Sequence, residues 1–326
     1  MEQTVKEKKK GKKAMSQNNY LPEGNLIGTP ENREAVGSLA GLERAMASGK
    51  ILEGAAVRCG RDMTLEVDLG VCRGIIPRQE IALTAPGEAV RDIAAITRVG
   101  KAVAFRVLSV TRDSRGNPTA LLSRREAQRE CREQFLSRLL PGDIIPGRVT
   151  HMEQFGAFVD IGCGIVSLMT IDCISVSRIS HPRDRFQTGD FIRAAVKSID
   201  PETGRIYVTH RELLGTWEEN AGRFEVGQTV AGVVRSVEDY GIFVELAPNL
   251  AGLAEPKAGI TPGQTASVYI KNIIPDRMKL KLVMIDAYSG ETERKRWEYF
   301  VGEDVRHMDR WRYSPPAAGK VIETVF

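Results

Sequence analysis

Residues 154–162 read Gln-Phe-Gly-Ala-Phe-Val-Asp-Ile-Gly, and residues 239–246 read Asp-Tyr-Gly-Ile-Phe-Val-Glu-Leu. In each, an aromatic residue precedes a glycine and a second aromatic follows two positions after that glycine. The glycine marks a turn, and the residues beyond it alternate with the period of two that a half-buried strand requires. Each stretch therefore predicts a β-hairpin with one aromatic at the turn and another at the start of the returning strand.

Working outward, each hairpin sits in a longer unit that occurs three times. The units open on Gly49-Lys50-Ile51-Leu52-Glu53-Gly54, Gly142-Asp143-Ile144-Ile145-Pro146-Gly147 and Gly227-Gln228-Thr229-Val230-Ala231-Gly232. A hairpin follows in each, then a glycine and an alternating strand (GKAVAFRVLSV, GDFIRAAVKSI, GQTASVYIKNI), then a closing strand (TALLSRRE, RIYVTHRE, KLKLVMID). A fixed repeat of this kind takes precedence over any single motif. Five short strands with a longer connection between the third and fourth predict a five-stranded Greek-key barrel of the OB-fold type. The fold class expected is all-β, with three tandem OB-fold barrels joined by short helices.

The boundaries follow from where the period changes. Residues 1–36 are expected to be a disordered Lys-rich arm, and 37–126 a degenerate first barrel entered by a short helix carrying Leu39, Leu42, Met46 and Leu52. In AQRECREQFLSRLL, Cys131, Phe135 and Leu139 fall four apart, which predicts a helical linker over 127–140. The second barrel spans 141–213, a second helical linker 214–225, the third barrel 226–287, and a basic-aromatic tail 288–326.

Composition narrows the function. The chain carries 46 basic and 42 acidic side chains, and the surplus of four lies within residues 1–13. Beyond Lys13 the charges balance, so nucleic-acid binding has to come from local patches and stacking rather than from a global field. No apolar run reaches the ~18 residues that cross a bilayer, and no apolar stretch follows the opening lysines as it would in an export signal. The five cysteines (59, 72, 131, 163 and 173) are odd in number and form no Cys-x-x-Cys pair. They fit reduced thiols in a cytoplasm better than a disulfide framework or a zinc site. Neither a phosphate-binding glycine loop, a His-Glu-x-x-His pair nor a Gly-x-Ser-x-Gly elbow occurs. A non-enzymatic protein is expected, with no cofactor, no metal and no small-molecule substrate.

The series Gly142-Asp143, Gln154 to Gly162, Gly189-Asp190, Asp200 to Arg205 and Val208-Thr209 resembles the S-one RNA-binding domain, a family found in bacterial small-subunit ribosomal proteins and in polynucleotide phosphorylase. Residues 239–246 repeat the pattern. The connectors Thr216-Trp217-Glu218-Glu219 and Leu122-Ser123-Arg124-Arg125 are similar to those between repeats of the ribosomal members. The resemblance implies single-stranded RNA or mRNA as partner, a place in translation at the small ribosomal subunit, and a cytoplasmic location.

On that reading Phe155 and Phe158, and Tyr240 and Phe243, stack on bases. As an isolated pair, one Phe would as readily belong to the core; the recurrence at the same offset favours RNA contact. The family's histidine on the third strand is replaced in the second unit by Thr170, expected to donate a hydrogen bond to RNA, and in the third by Glu255, which would repel phosphate. The family's late Asp and Arg fall on Asp200 and Arg205, while in the third unit Pro275 replaces the Asp and Lys279 keeps the charge. Arg148 and His151, with Arg183 and Arg185, are expected to add phosphate contacts. The first unit has Met63 and Glu66 where the aromatics should be and Pro77 in the histidine's place. It is expected to dock on protein, the ribosome in the first place, or to act as a spacer. In the tail, Arg294-Lys295-Arg296-Trp297 and Arg310-Trp311-Arg312-Tyr313 suit nucleic acid, and equally Trp297, Tyr299 and Phe300 suit packing on the third barrel. The rival readings are a protein-docking regulatory adaptor and a specialised paralogue acting off the ribosome, for example in RNA decay.

Overall fold

The computed structural model describes residues 20–85, 87–290 and 297–326. The first unit forms β1 (Leu52–Cys59), β2 (Leu65–Asp68), β3 (Arg73–Ile76), β4 (Ala102–Arg112) and β5 (Pro118–Ser123). The second forms β6 (Ile144–Glu153), β7 (Gly156–Asp160), β8 (Val166–Thr170), β9 (Phe191–Ile199) and β10 (Ile206–Thr209). The third forms β11 (Thr229–Glu238), β12 (Gly241–Ala247), β13 (Leu250–Ala254), β14 (Thr265–Ile274) and β15 (Lys279–Tyr288). Each unit closes into a five-stranded barrel of one topology. Three strands meander, the fourth returns antiparallel to the first, and the fifth lies parallel to the third. The all-β expectation of three OB-type barrels therefore holds.

The alternation read from sequence is what closes them. On β15, Leu280, Leu282 and Met284 are buried while Lys279, Lys281 and Val283 between them are exposed. The first strand of every barrel also carries a register shift at one place, between Ala56 and Arg58, Val149 and His151, and Val234 and Ser236. A bulge there bends the strand sharply enough for a small barrel to close.

Five α-helices lie among the described residues: α1 (Pro30–Val36), α2 (Leu39–Ser48), α3 (Asp92–Ile96), α4 (Arg124–Gln134) and α5 (Trp217–Ala221). Helix α2 buries Leu42 and Ala45 on the first barrel and stops at Gly49, whose φ of 67° suits a glycine cap. Helix α4 begins at Arg124, three residues ahead of the expected linker, because the Ser123 side chain caps it by accepting the Glu126 N–H.

The expected disordered arm over 1–36 does not hold for residues 20–36. Its first 19 residues lie outside the described residues, but 20–36 are ordered. Tyr20 stacks on Phe135 with ring centroids 6.0 Å apart and donates to Glu130 at 3.0 Å. The buried Glu23 carboxylate accepts from Arg124 Nε at 2.6 Å, the Ala104 N–H at 3.0 Å and Arg98 at 3.3 Å. The N–H groups of Gly24, Leu26 and Ile27 converge on the Glu53 carboxylate. Burial alone would raise the Glu23 carboxyl; the Arg124 guanidinium outweighs it and holds the group below its ordinary range. The segment thus ties the first barrel, α4 and the second barrel through polar contacts, which leave no hydrophobic period to read.

Two further expectations change. Arg185 is buried and pairs with Glu245 of the third barrel, which also accepts from Arg235 Nε at 2.8 Å. It locks two barrels together and is not available to phosphate. In the tail, Trp297 packs on the second barrel rather than the third, 5.3 Å from Phe186 and 4.6 Å from His210. Tyr299 joins it, its hydroxyl accepting the Arg193 N–H at 2.9 Å. Trp311 and Tyr313 are buried in the core of the third barrel. Phe300 lies under the Arg223 guanidinium at 4.2 Å. Residues 294–296 lie outside the described residues.

Removing one member of a buried ion pair leaves the other charge uncompensated, at a cost of about 3–5 kcal/mol. Arg124→Ala is expected to lower stability by an amount of that order in urea unfolding and to make residues 20–36 accessible to protease. A change under about 1 kcal/mol would place Glu23 and Arg124 in the class of exposed pairs.

Candidate nucleic-acid interface

The hairpin between β6 and β7 turns where a side chain does not fit. A Cβ on Gly156 would lie 2.4 Å from the Met169 carbonyl oxygen, and one on Gly241 would lie 2.7 Å from that of Ala254. Just ahead of these glycines Phe155 and Tyr240 project outward, 55% and 68% exposed. Phe158 and Phe243 are half-buried on the next strand. Phe155 meets Phe158 edge-on with centroids 6.0 Å apart and planes at 86°, and Tyr240 meets Phe243 at 6.1 Å and 86°. Two barrels have built the same corner. His151 adds a third ring in the second barrel, roughly parallel to Phe158 at 5.9 Å.

Strand register shows that these positions are equivalent. Phe158 pairs with His151 just after the bulge and with Leu168 on the third strand. Phe243 pairs with Ser236 and Leu253, and Glu66 with Arg58 and Ile75. In the first barrel the place of the aromatic is thus taken by a carboxylate that Arg58 engages directly and Arg73 approaches at 3.8 Å. Met63 turns at φ 63° and packs half-buried against the core. The first barrel has no aromatic pair at this corner.

From Phe158 an open groove of about 520 Å³ runs past Leu168, Tyr207 and Arg205 to Arg132 and Ser137 of the linker. A smaller depression of about 230 Å³ lies on the other side of Tyr207, lined by Thr170, Lys197 and Ser198 among others. Arg205 lines the larger groove and His151 flanks Phe158.

Other expected site residues are already engaged. Arg148 donates to the Glu23 carbonyl at 2.7 Å and lies over the Phe191 ring at 5.2 Å, so it secures the N-terminal segment. Asp200 caps its own turn, accepting from the Glu202 N–H at 2.9 Å and the Thr203 hydroxyl at 2.7 Å. Those bonds hold its carboxyl below the usual range, and its part is to shape the turn that carries Arg205. The Thr170 hydroxyl donates to Asp172 at 2.6 Å. In the third barrel Lys279 opens β15, and it is Lys281 that pairs with Leu253 beside Phe243. Sequence reasoning overlooked Tyr207 and Lys197. The alternation in Ile206-Tyr207-Val208 was the available signal, because it turns the tyrosine outward. Among the described residues no group of three or more His, Cys, Asp or Glu side chains is placed to hold a metal. No helix among them is long and apolar enough to cross a membrane.

Residues 139–211, the second barrel, match the family model described as S1 RNA binding domain. The chain is 32% identical over 182 residues to small ribosomal subunit protein bS1 of Staphylococcus aureus (strain COL), covering 51% of this chain and 46% of that protein. Against the protein of the same name from Rhodopseudomonas palustris it is 29% identical over 250 residues, 72% of this chain and 42% of the relative. Against that of Leuconostoc lactis it is 28% identical over 268 residues, 77% and 59% respectively. The chain spans about half the length of the curated relatives it matches, 46% and 59% in two of these cases.

Exposed aromatics contribute little to packing. Phe155→Ala and Tyr240→Ala are therefore expected to change stability by no more than about 0.5 kcal/mol, while Phe186→Ala, fully buried, costs about 3–5 kcal/mol. Denaturant midpoints of the three variants measure this. A large loss at Phe155 would make it a core residue.

Proposed function

We propose, for a chain whose second barrel belongs to the S1 RNA-binding domain family, that it binds single-stranded RNA on the outward aromatic corners of its second and third barrels. The observation that carries this reading is the repetition of one exposed ring pair in one register on two barrels, with an ion-paired glutamate in that position on the first. A half-exposed ring next to a groove edged by arginine offers a face for a base and a charge for the backbone. Base–aromatic stacking contributes about 1–3 kcal/mol per base and depends weakly on which base is present. Weak sequence preference follows, with mRNA in translation at the small ribosomal subunit as the substrate and setting, in the cytoplasm and without catalysis. The curated relatives bear the name of a small-subunit ribosomal protein, which supports that setting.

The first barrel serves as the docking module. Its surface keeps Val57, Ile93, Ile96 and Val99 between 40% and 60% exposed, on β1, on α3 and in the turn after α3, which the Gly100 N–H joins to the Ala56 carbonyl of β1. This feature also favours the second reading, an adaptor that works chiefly through protein contact.

Binding of the full chain to a labelled unstructured RNA across a salt series separates the two. Phe155→Ala with Phe158→Ala is expected to weaken binding by roughly 5- to 100-fold, and Met63→Ala with Glu66→Ala to leave it unchanged. Equal effects of the two double variants, both folded, would contradict the stacking reading. Binding that disappears at modest salt and ignores both pairs would favour the adaptor.

A further inference from the structure

The outward row that begins at Phe158 does not end there. Across the second barrel Phe158 pairs with Leu168, and Leu168 pairs in turn with Tyr207 on β10. The corresponding rows are Phe243, Leu253 and Lys281 in the third barrel, and Glu66, Ile75 and Leu121 in the first. Only the second barrel ends its row on a ring. Neighbouring strands lie about 4.8 Å apart, which puts Tyr207 about 10 Å from Phe158 with the Leu168 side chain as an apolar floor between them.

Tyr207 is half-buried and stands as a ridge between two depressions. On one side the larger groove leads to Arg205 and, across it, to the exposed Arg132 of α4. On the other side lies Lys197, at the register shift between the β9 partners of Tyr207 and Val208. A bulge re-aims the extra residue, and the Lys197 ammonium is held in place by a 2.9 Å contact to the Cys173 sulfur. The Asp172 carboxylate lies 4.0 Å from the same ammonium; a ring with a cation on either side over open grooves still suits a stacked base and its backbone.

We propose that Tyr207, with Lys197 and Arg132 on either side, forms an additional base-stacking subsite that lengthens the RNA track of the second barrel from the Phe155–Phe158 corner towards the α4 linker. The proposal rests on the RNA-binding reading above and goes beyond it in assigning a residue, a direction and a difference between barrels. The second barrel holds one more base by stacking. The third, with Lys281 in that place, holds the strand there by charge.

The test uses the full chain and fluorescein-labelled oligouridylates of increasing length, with Tyr207→Ala, Tyr207→Phe and Phe155→Ala/Phe158→Ala compared at fixed salt. Tyr207→Ala is expected to weaken binding of the longer oligonucleotides by roughly 5- to 100-fold and to leave the shortest bound ones nearly unaffected. Tyr207→Phe keeps the ring and is expected to bind as the unaltered chain does, which guards against mistaking a folding defect for a lost contact. If the corner variant loses binding while Tyr207→Ala matches the unaltered chain at every length, the subsite is wrong and the corner reading stands. If neither variant changes binding, both fail. If Tyr207→Phe binds as poorly as Tyr207→Ala, the ring is not a stacking platform and the proposal is overturned.

Discussion

Closure of a five-stranded barrel is the constraint from which everything else in this chain follows. A barrel this small has room inside for one side chain of every two along each strand, and the bulge after the middle of the first strand fixes where the sheet bends. The inward residues are thereby committed: Val67, Val159 and Val244 occupy equivalent buried positions next to Glu66, Phe158 and Phe243. The outward row opposite the bulge carries no packing duty. It is free to differ among the three barrels, and it does, from an ion-paired glutamate to an edge-on pair of phenylalanines to a tyrosine and phenylalanine. One scaffold therefore presents three surfaces.

Buried charge pairs lie at both joints between the barrels. Glu23 with Arg124 ties the N-terminal segment to α4 between the first and second barrels, and Arg185 with Glu245 ties the second barrel to the third. Buried pairs of this kind contribute little net stability against an apolar alternative, yet are costly to break singly. They suit a joint that must hold one geometry. The aromatic tail adds to the second joint, with Trp297 and Tyr299 seated on the second barrel and Trp311 and Tyr313 on the third. On the proposed reading, corners on successive barrels would meet one RNA strand as linked sites, and linkage raises overall affinity without any new contact.

Much of this was legible in the sequence for a definite physical reason. Period-two alternation, glycine-marked turns and a repeated opening phrase are local signals, so strand number, hairpins and the exposed aromatics could be read directly. The order of residues 20–36 was not legible, because that segment is held by Glu23 and by backbone N–H groups reaching Glu53, contacts that leave no period. Arg148, Asp200 and Arg185 look like free charges in sequence, and only the fold shows that each already has a partner. Tyr207 was missed for the opposite reason: it becomes a neighbour of Phe158 only through the parallel pairing of the third and fifth strands, a contact nearly forty residues distant in sequence.

The most direct measurement is amide hydrogen exchange of the full chain with and without a saturating unstructured oligoribonucleotide. The account predicts new protection at the β6–β7 and β11–β12 hairpins and along β8 and β10, and none at β2 and β3 of the first barrel. Protection centred on β2 and β3, or spread without distinction over all three barrels, would contradict it.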